Sequence, residues 1–272
     1  MSSQPYTRDF YQALRDGATR SAEAIVPLVL KLVPARSVVD VGCGDGSWLA
    51  VFRRHGVKEV LGVDGDYVDR ETLQIPRECF EARDLTVPLE IKRGFDLAIS
   101  LEVAEHLPPE SAEVFVKGLT ELAPVVLFSA AIPFQGGTHH VNEQWQDRWA
   151  GLFRERGYAA VDFVRKRVWQ NEEVEFWYAQ NTLLFARSDF VERSDTLREE
   201  LRQTNREQLC LVHPRQYLFR QTQYLEALAR AENPPLPSGV KEASRILLLC
   251  LKNSLKKRLG LRQARPSDRV AP

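Results

Sequence analysis

Val38-Val39-Asp40-Val41-Gly42-Cys43-Gly44-Asp45-Gly46 is the stretch on which the reading of this chain turns. A β-branched apolar run closes on an acid and then breaks into three glycines at alternate positions. Ser47-Trp48-Leu49-Ala50-Val51-Phe52 follows with the make-up of a helix start. Strand, glycine turn and helix, in that order, form the βα unit that holds a nucleotide-like cofactor at the end of a parallel sheet. Glycine reaches positive φ without strain and lets a ligand touch bare backbone. The spacing is G-x-G-x-G, whereas dinucleotide-binding turns use G-x-G-x-x-G.

The neighbouring segments agree with that start. Lys58-Glu59-Val60-Leu61-Gly62-Val63-Asp64-Gly65 reads as a second strand ending in an acid. Asp64 lies roughly 20 residues beyond the glycines, where a carboxylate meets ribose hydroxyls, and its charge strengthens both bonds to a diol. Cys79 to Leu85 reads as a third strand ending at Asp84, Phe95 to Ser100 as a fourth and Val125 to Ala130 as a fifth. The plainer reading of Asp64 and Asp84 is that they only mark strand ends. Strands and helices alternating to about residue 130 predict a parallel sheet covered on both faces. Upstream, residues 8 to about 33 read as two helices interrupted at Pro27. Downstream, Asn142 is the expected N-cap of a helix to about Arg156 that ends at Gly157. Tyr158–Val164 and Val174–Ala186 are expected as two late strands.

Composition narrows the function classes. The 272 residues suffice for one large domain plus an extension. Formal net charge is +0, so no global field recruits a large nucleic acid. Cys43, Cys79, Cys210 and Cys250 are scattered without a C-x-x-C pair, against both a disulfide framework and a zinc site. Reduced thiols and a cytoplasmic location are expected. No apolar leader follows Met1, and no run of ~20 apolar residues is present to span a bilayer.

The expected organisation is a catalytic domain over 1–187, a charged helical extension over 188–232, a proline-rich linker over 233–239, an amphipathic basic helix over 240–261 and a disordered tail over 262–272. In the amphipathic helix Ile246, Leu247, Leu248, Leu249, Leu251 and Leu255 supply the apolar part, and Lys252, Lys256, Lys257, Arg258 and Arg262 the charge. Such a helix suits peripheral contact with an anionic membrane surface; packing on its own domain or on a second subunit is the bland alternative.

Two polar clusters follow the fourth and fifth strands, at the sheet edge where open α/β folds bind ligands. Glu102, Glu105 and His106 share a face if they stand on one helical turn. That set can bind a divalent cation, act as acid and base, or cap the next helix. The second cluster runs from Gln135 through Gly136, Gly137, Thr138, His139 and His140 to Asn142 and Glu143. His139 and His140 point opposite ways in an extended chain, so one of them faces the pocket. The aromatic run Phe176-Trp177-Tyr178 in the late strand either walls the pocket or packs in the core.

From about residue 20 to 187 the chain resembles class I S-adenosylmethionine-dependent methyltransferases. Asp40-Val41-Gly42-Cys43-Gly44-Asp45-Gly46 is similar to their first motif, in which the cofactor has no pyrophosphate to seat; Gly62-Val63-Asp64-Gly65, Phe95 to Ser100, Glu102 to Leu107 and His140 to Glu143 add to the likeness. The resemblance implies a Rossmann-like α/β fold, a seven-stranded sheet closed by an antiparallel hairpin, with a C-terminal helical extension. It implies S-adenosyl-L-methionine as cofactor, held by Asp40, Gly42, Cys43, Gly44, Gly46, Asp64, Gly65, Asp84, Leu85 and Leu101, with Asp84 toward the adenine amino group. E-x-x-E-H is also similar to the ubiquinone-biosynthesis O-methyltransferases and the small-RNA 3′-end 2′-O-methyltransferases. That likeness implies a divalent metal, Mg²⁺ or Mn²⁺, on Glu102, Glu105, His106 and either His139 or, as preferred, His140. Glu105, His106 and His140 are then the catalytic residues, and the acceptor a small hydroxylated molecule such as a sugar, a polysaccharide precursor or a glycosylated natural product. The segment Val212 to Tyr217 is weakly similar to sugar-modifying relatives.

Four other readings stand beside it: a metal-free histidine base, RNA 2′-O-methylation, a catalytically inactive scaffold subunit and a nicotinamide-dependent oxidoreductase. The glycine spacing opposes the last, the intact glycine turn opposes the scaffold and the neutral charge opposes RNA.

Overall fold

A computed structural model describes residues 8–232 and 239–258. Seven strands form one sheet in the order β3-β2-β1-β4-β5-β7-β6. They are β1 Ser37–Val41, β2 Glu59–Asp64, β3 Phe80–Ala82, β4 Leu97–Leu101, β5 Val125–Ser129, β6 Tyr158–Val161 and β7 Leu183–Arg187. β1 to β5 pair in parallel, and β7 runs antiparallel to both β5 and β6. This is the class I methyltransferase sheet.

The strands are mostly apolar because helices cover both faces, with acids near the ends of β1 and β2. Val38, Val60, Leu97, Ile99 and Leu127 pack with α1 (Arg8–Leu32) and α2 (Ser47–Arg54). Val39, Val41, Leu61, Ala98 and Phe128 pack on the other face with α3 (Ala112–Leu122) and α4 (Gln146–Glu155). There Phe153 stacks on Phe185 at 3.9 Å. The remaining helices are α5 Arg165–Val168, α6 Phe176–Asn181, α7 Ser188–Glu192, α8 Asp195–Arg202, α9 Pro214–Glu232 and α10 Val240–Arg258.

Three local expectations are corrected. Pro27 does not divide the N-terminal segment; it lies inside the single helix α1, where buried Ile25, Val26 and Val29 anchor the surrounding turns. The late strand begins only at Leu183, because Phe176–Asn181 is helical: the Ala179 amide donates to Glu175 and the Thr182 amide to Tyr178. Short apolar runs do not distinguish strand from helix by pattern alone. Asn142 is not an N-cap, since α4 begins at Gln146.

Residues up to Arg220 belong to one compact unit, and a second begins at Gln221. The expected boundary at 187 falls inside the first. Buried Arg165 explains part of this: it grips Asp162 through two bonds (3.0 and 2.7 Å) and donates to the Leu209 carbonyl at 2.6 Å. Gln146 donates to the Leu211 carbonyl at 3.0 Å. Residues 233–238 of the expected linker, the end of the basic helix beyond 258 and the tail 262–272 lie outside the described residues.

Candidate active site

The chain reverses its order in the sheet between β1 and β4, and ligands of open α/β folds bind at such a switch point. β1 delivers Asp40 and the glycine turn there. Gly42, Gly44 and Gly46 all have positive φ (88°, 54° and 80°), a conformation costly for residues with a Cβ. The Gly42 amide donates to the Val63 carbonyl at 2.7 Å. A Cβ on Gly42 would stand 2.3 Å from Val103, whereas one on Gly44 would meet open space. The turn is therefore packed against Val103 at one glycine and open at the next.

Asp64 ends β2 beside it. Its Oδ2 accepts the Gly44 amide at 2.7 Å, and its Oδ1 accepts the Gly65 amide at 2.7 Å and the Tyr67 hydroxyl at 2.5 Å. Asp40 is almost fully buried. Burial, then the charges of Asp64 and Asp45, push its carboxyl well above the usual range. Burial likewise raises the Cys43 thiol, which stays protonated. Asp84 is exposed at the far edge, its Oδ1 taken by the amide and hydroxyl of Thr86 (2.8 and 2.6 Å); Leu85 and Leu101 are buried nearby in sequence, after β3 and at the end of β4. A turn of bare backbone flanked by two buried acids fits the amino-acid and ribose parts of S-adenosylmethionine.

The second cluster is built at the ends of β4 and β5. Glu102 follows β4 with φ +56°, a left-handed conformation that costs on the order of 1–3 kcal/mol. Its amide donates to the carbonyl of Ser129 at 2.9 Å. Glu102 therefore turns the chain and does not share a helical face with Glu105 and His106, which stand on the short 3-10 turn Ala104–His106. Its carboxylate is held by two amides, Asn181 Nδ2 at 3.0 Å and Gln135 Nε2 at 2.9 Å.

Glu105, His106 and His140 converge: their ligand atoms lie within 4.8 Å of one another. Glu102 is not in that three-donor set. Glu105 is fully buried beside the Glu102 carboxyl and the Ala131 backbone, and neither carboxylate oxygen has a close hydrogen-bond partner. Burial first, and the charge of Glu102 second, raise its carboxyl well above the usual range. Burial, followed by repulsion from His140, lowers the His106 imidazole, which is neutral at neutral pH. The two rings meet edge to face at 4.9 Å.

His140 reaches this place through backbone bonds. The Glu105 carbonyl accepts the amides of Val141 (2.9 Å) and Asn142 (3.0 Å), and buried Asn142 donates to the Ala104 carbonyl at 3.3 Å. Glu143 accepts the amides of Phe134 and Gly136, both at 2.7 Å, and pairs with His140 Nδ1 at 2.9 Å. In the tautomer that donates Nδ1–H to that carboxylate, Nε2 carries the free lone pair. A Cβ on Gly137 would lie 2.3 Å from His140 Nε2, so the ring occupies the space that glycine leaves. His139 is exposed at φ +57° and stands outside the donor set.

Sequence reading missed the amide network behind Glu102. Gln135 Oε1 accepts Asn181 Nδ2 (2.9 Å) and Gln180 Nε2 (3.0 Å), and Gln180 Oε1 accepts the His213 amide at 2.8 Å. Gln216 donates to the carbonyls of Phe134 and Gln135 at 3.2 and 3.3 Å. Gln180 and Asn181 were hidden in the stretch expected as a strand. The His140–Glu143 spacing was a usable signal for the orienting carboxylate.

Comparison with known proteins agrees with this fold. The family described as a methyltransferase domain matches residues 11–167. The chain belongs to that family of methyltransferase domains. Among solved structures, magnesium protoporphyrin IX methyltransferase from Synechocystis PCC 6803, with S-adenosylhomocysteine bound, is 18% identical. That match covers 68% of this chain and 90% of that one at a TM-score of 0.51. An O-methyltransferase family protein from Burkholderia thailandensis is also 18% identical, covering 65% of this chain and 58% of that one at 0.48. This chain thus spans little more than half of the Burkholderia protein's length. Likeness at these identities shows the fold alone. No curated protein sequence matches the chain.

Proposed function

We propose that this methyltransferase acts on a hydroxyl oxygen of a small hydroxylated acceptor, such as a sugar or glycosylated metabolite, with a divalent cation held by Glu105, His106 and His140. One observation carries the reading: a fully buried carboxylate with no close hydrogen-bond partner faces two imidazoles. A buried ionised carboxylate without a partner is costly, and a cation removes that cost. One carboxylate and two imidazoles suit Mn²⁺ at least as well as Mg²⁺.

S-adenosylmethionine supplies a sulfonium-bound methyl group for in-line displacement. A cation at the three donors supplies Lewis acidity that lowers a hydroxyl's pKa. The protein's own work is positional. The glycine turn and Asp64 seat the cofactor. Glu143 fixes the His140 tautomer, as carboxylates behind metal-binding histidines do. Asn181 and Gln135 keep the Glu102 carboxylate satisfied, where it is placed to accept a bond from an acceptor hydroxyl. Neutral His106 keeps an unprotonated nitrogen for a ligand or a proton. Zero net charge favours a small acceptor over nucleic acid.

S-adenosylhomocysteine release against sugar nucleotides and glycosylated metabolites, in EDTA and after Mn²⁺ or Mg²⁺ is restored, tests the reading. Turnover is expected to vanish in EDTA and return with metal. Glu105→Gln and His140→Ala are expected to lose about 100-fold or more and to abolish Mn²⁺ binding seen by EPR, with S-adenosylmethionine affinity unchanged. Full activity in chelator, with His106→Ala inactive, overturns the cation in favour of a histidine base.

A further inference from the structure

We propose that α10 docks this protein on the surface of an anionic lipid bilayer. The inference is independent of the acceptor and of the cation, and rests on the helix alone. α10 is continuous over Val240–Arg258, about 28 Å long at 1.5 Å per residue. Leu247, Leu248, Leu249, Leu251 and Leu255 are each more than half exposed. An apolar face left in water on this scale marks an interaction surface.

Charge chooses the partner. At 100° per residue, Leu247, Leu248, Leu251 and Leu255 fall within an arc of about 100°. Lys241, Arg245 and Lys252 (i, i+4, i+11) fall in a stripe about 40° wide along one rim of that arc. Leu249 alone among the leucines lies beyond the basic stripe. Between 240 and 258 the sequence has six basic residues and one acid, Glu242, although the whole chain has a formal net charge of +0. The positive charge is therefore concentrated where the leucines are. Leucines beside a basic rim match the acyl boundary and the anionic headgroups of a bilayer. No helix of the described residues is long and apolar enough to cross a membrane, so α10 would lie in the interface plane.

A second copy of the chain is the competing occupant, and the pattern disfavours it. Three–four spacing picks out Leu248, Leu251 and Leu255, but Ser244 and Arg258 stand at the next positions on either side. A zipper needs an apolar repeat sustained over several heptads.

The test is co-sedimentation of the full chain with phosphatidylcholine vesicles, with and without one-third phosphatidylglycerol, at low and high salt. Binding is expected to the anionic vesicles and to weaken steeply with salt. Lys241→Glu/Arg245→Glu/Lys252→Glu is expected to lower partitioning on the order of 100-fold. Leu248→Ser/Leu251→Ser/Leu255→Ser is expected to abolish it. S-adenosylmethionine affinity measured on the same variants stays at the parent value, which separates lost docking from lost folding. Equal recovery with neutral and anionic vesicles, or unchanged binding by either variant, overturns the proposal. So does a sedimentation-velocity result in which the leucine variant splits a dimer while the parent ignores vesicles.

Discussion

On the β1–β3 side of the switch point the candidate site's atoms are mostly backbone, shaped by three glycines within five residues and completed by Asp40 near the end of β1 and Asp64 at the end of β2. On the β4–β7 side they are side chains gathered from positions as distant as Glu102, Gln135, His140 and Asn181, braced in turn by Gln180 and His213. A backbone cradle is specified by local sequence and suits a cofactor of constant shape. A side-chain cluster is specified by tertiary packing, and any member can change without altering the turn across the sheet. Under the proposed function, the division separates what the enzyme must always bind from what sets its acceptor and chemistry.

The sharpest way to break the contrast is Gly42→Val. Its left-handed φ and the overlap with Val103 both oppose a side chain, together about 3–5 kcal/mol. Calorimetry should show the melting temperature falling by roughly 10 °C, and titration calorimetry should detect no S-adenosylmethionine binding. Near-normal binding by this variant would mean that the turn is not the cradle.

Asn181→Leu probes the other side. It removes one of the two amide donors to Glu102, and a buried polar group left unsatisfied costs about 1–3 kcal/mol. Turnover should fall about 10–100-fold, the range seen when orienting partners are lost, with cofactor affinity within twofold of the parent. A matching loss of cofactor affinity would show that the two halves are not separable.

Asp40→Asn should stabilise the protein without cofactor while weakening S-adenosylmethionine binding. Burial raises the folded-state pKa of Asp40 above its unfolded value, so the cost of ionising it is present at neutral pH and absent below about pH 3.9. The gain in melting temperature should therefore be largest near pH 7, shrink as pH falls and disappear below about pH 4. A gain that persists in acid would locate its origin elsewhere.

Gln216→Ala should have the smallest effect. It frees the Gln135 carbonyl from α9 and leaves the Phe134 carbonyl to Arg220 alone, loosening the loop that leads to His140. A several-fold rise in acceptor KM with little change in kcat is expected; an unchanged KM would remove the C-terminal segment from the acceptor side.

The same contrast explains what could be read from sequence. β1, β2, β4 and β5 lie close to where apolar runs and turn residues put them, because a strand buried on both faces is mostly apolar. The glycine turn declares itself by spacing. His140 was legible as one of two adjacent histidines, of which only one could face inward. Glu102 was misplaced because no pattern foretells a left-handed glutamate at a strand end. Asn181 and Gln180 were invisible because an aromatic run does not announce a six-residue helix. The boundary at 187 was drawn where the sequence turns charged, yet Arg165 and Gln146 reach out of the core to grip Leu209 and Leu211.

The bare α-carbon at position 137 leaves His140 its seat, so one added methyl group would evict the imidazole without disturbing cofactor, sheet or Glu105. If His140 has its proposed role, a lineage of this enzyme stands a single codon change from a silent descendant that still folds and carries its methyl donor. Paralogues retained only as assembly subunits would be the place to look for alanine there.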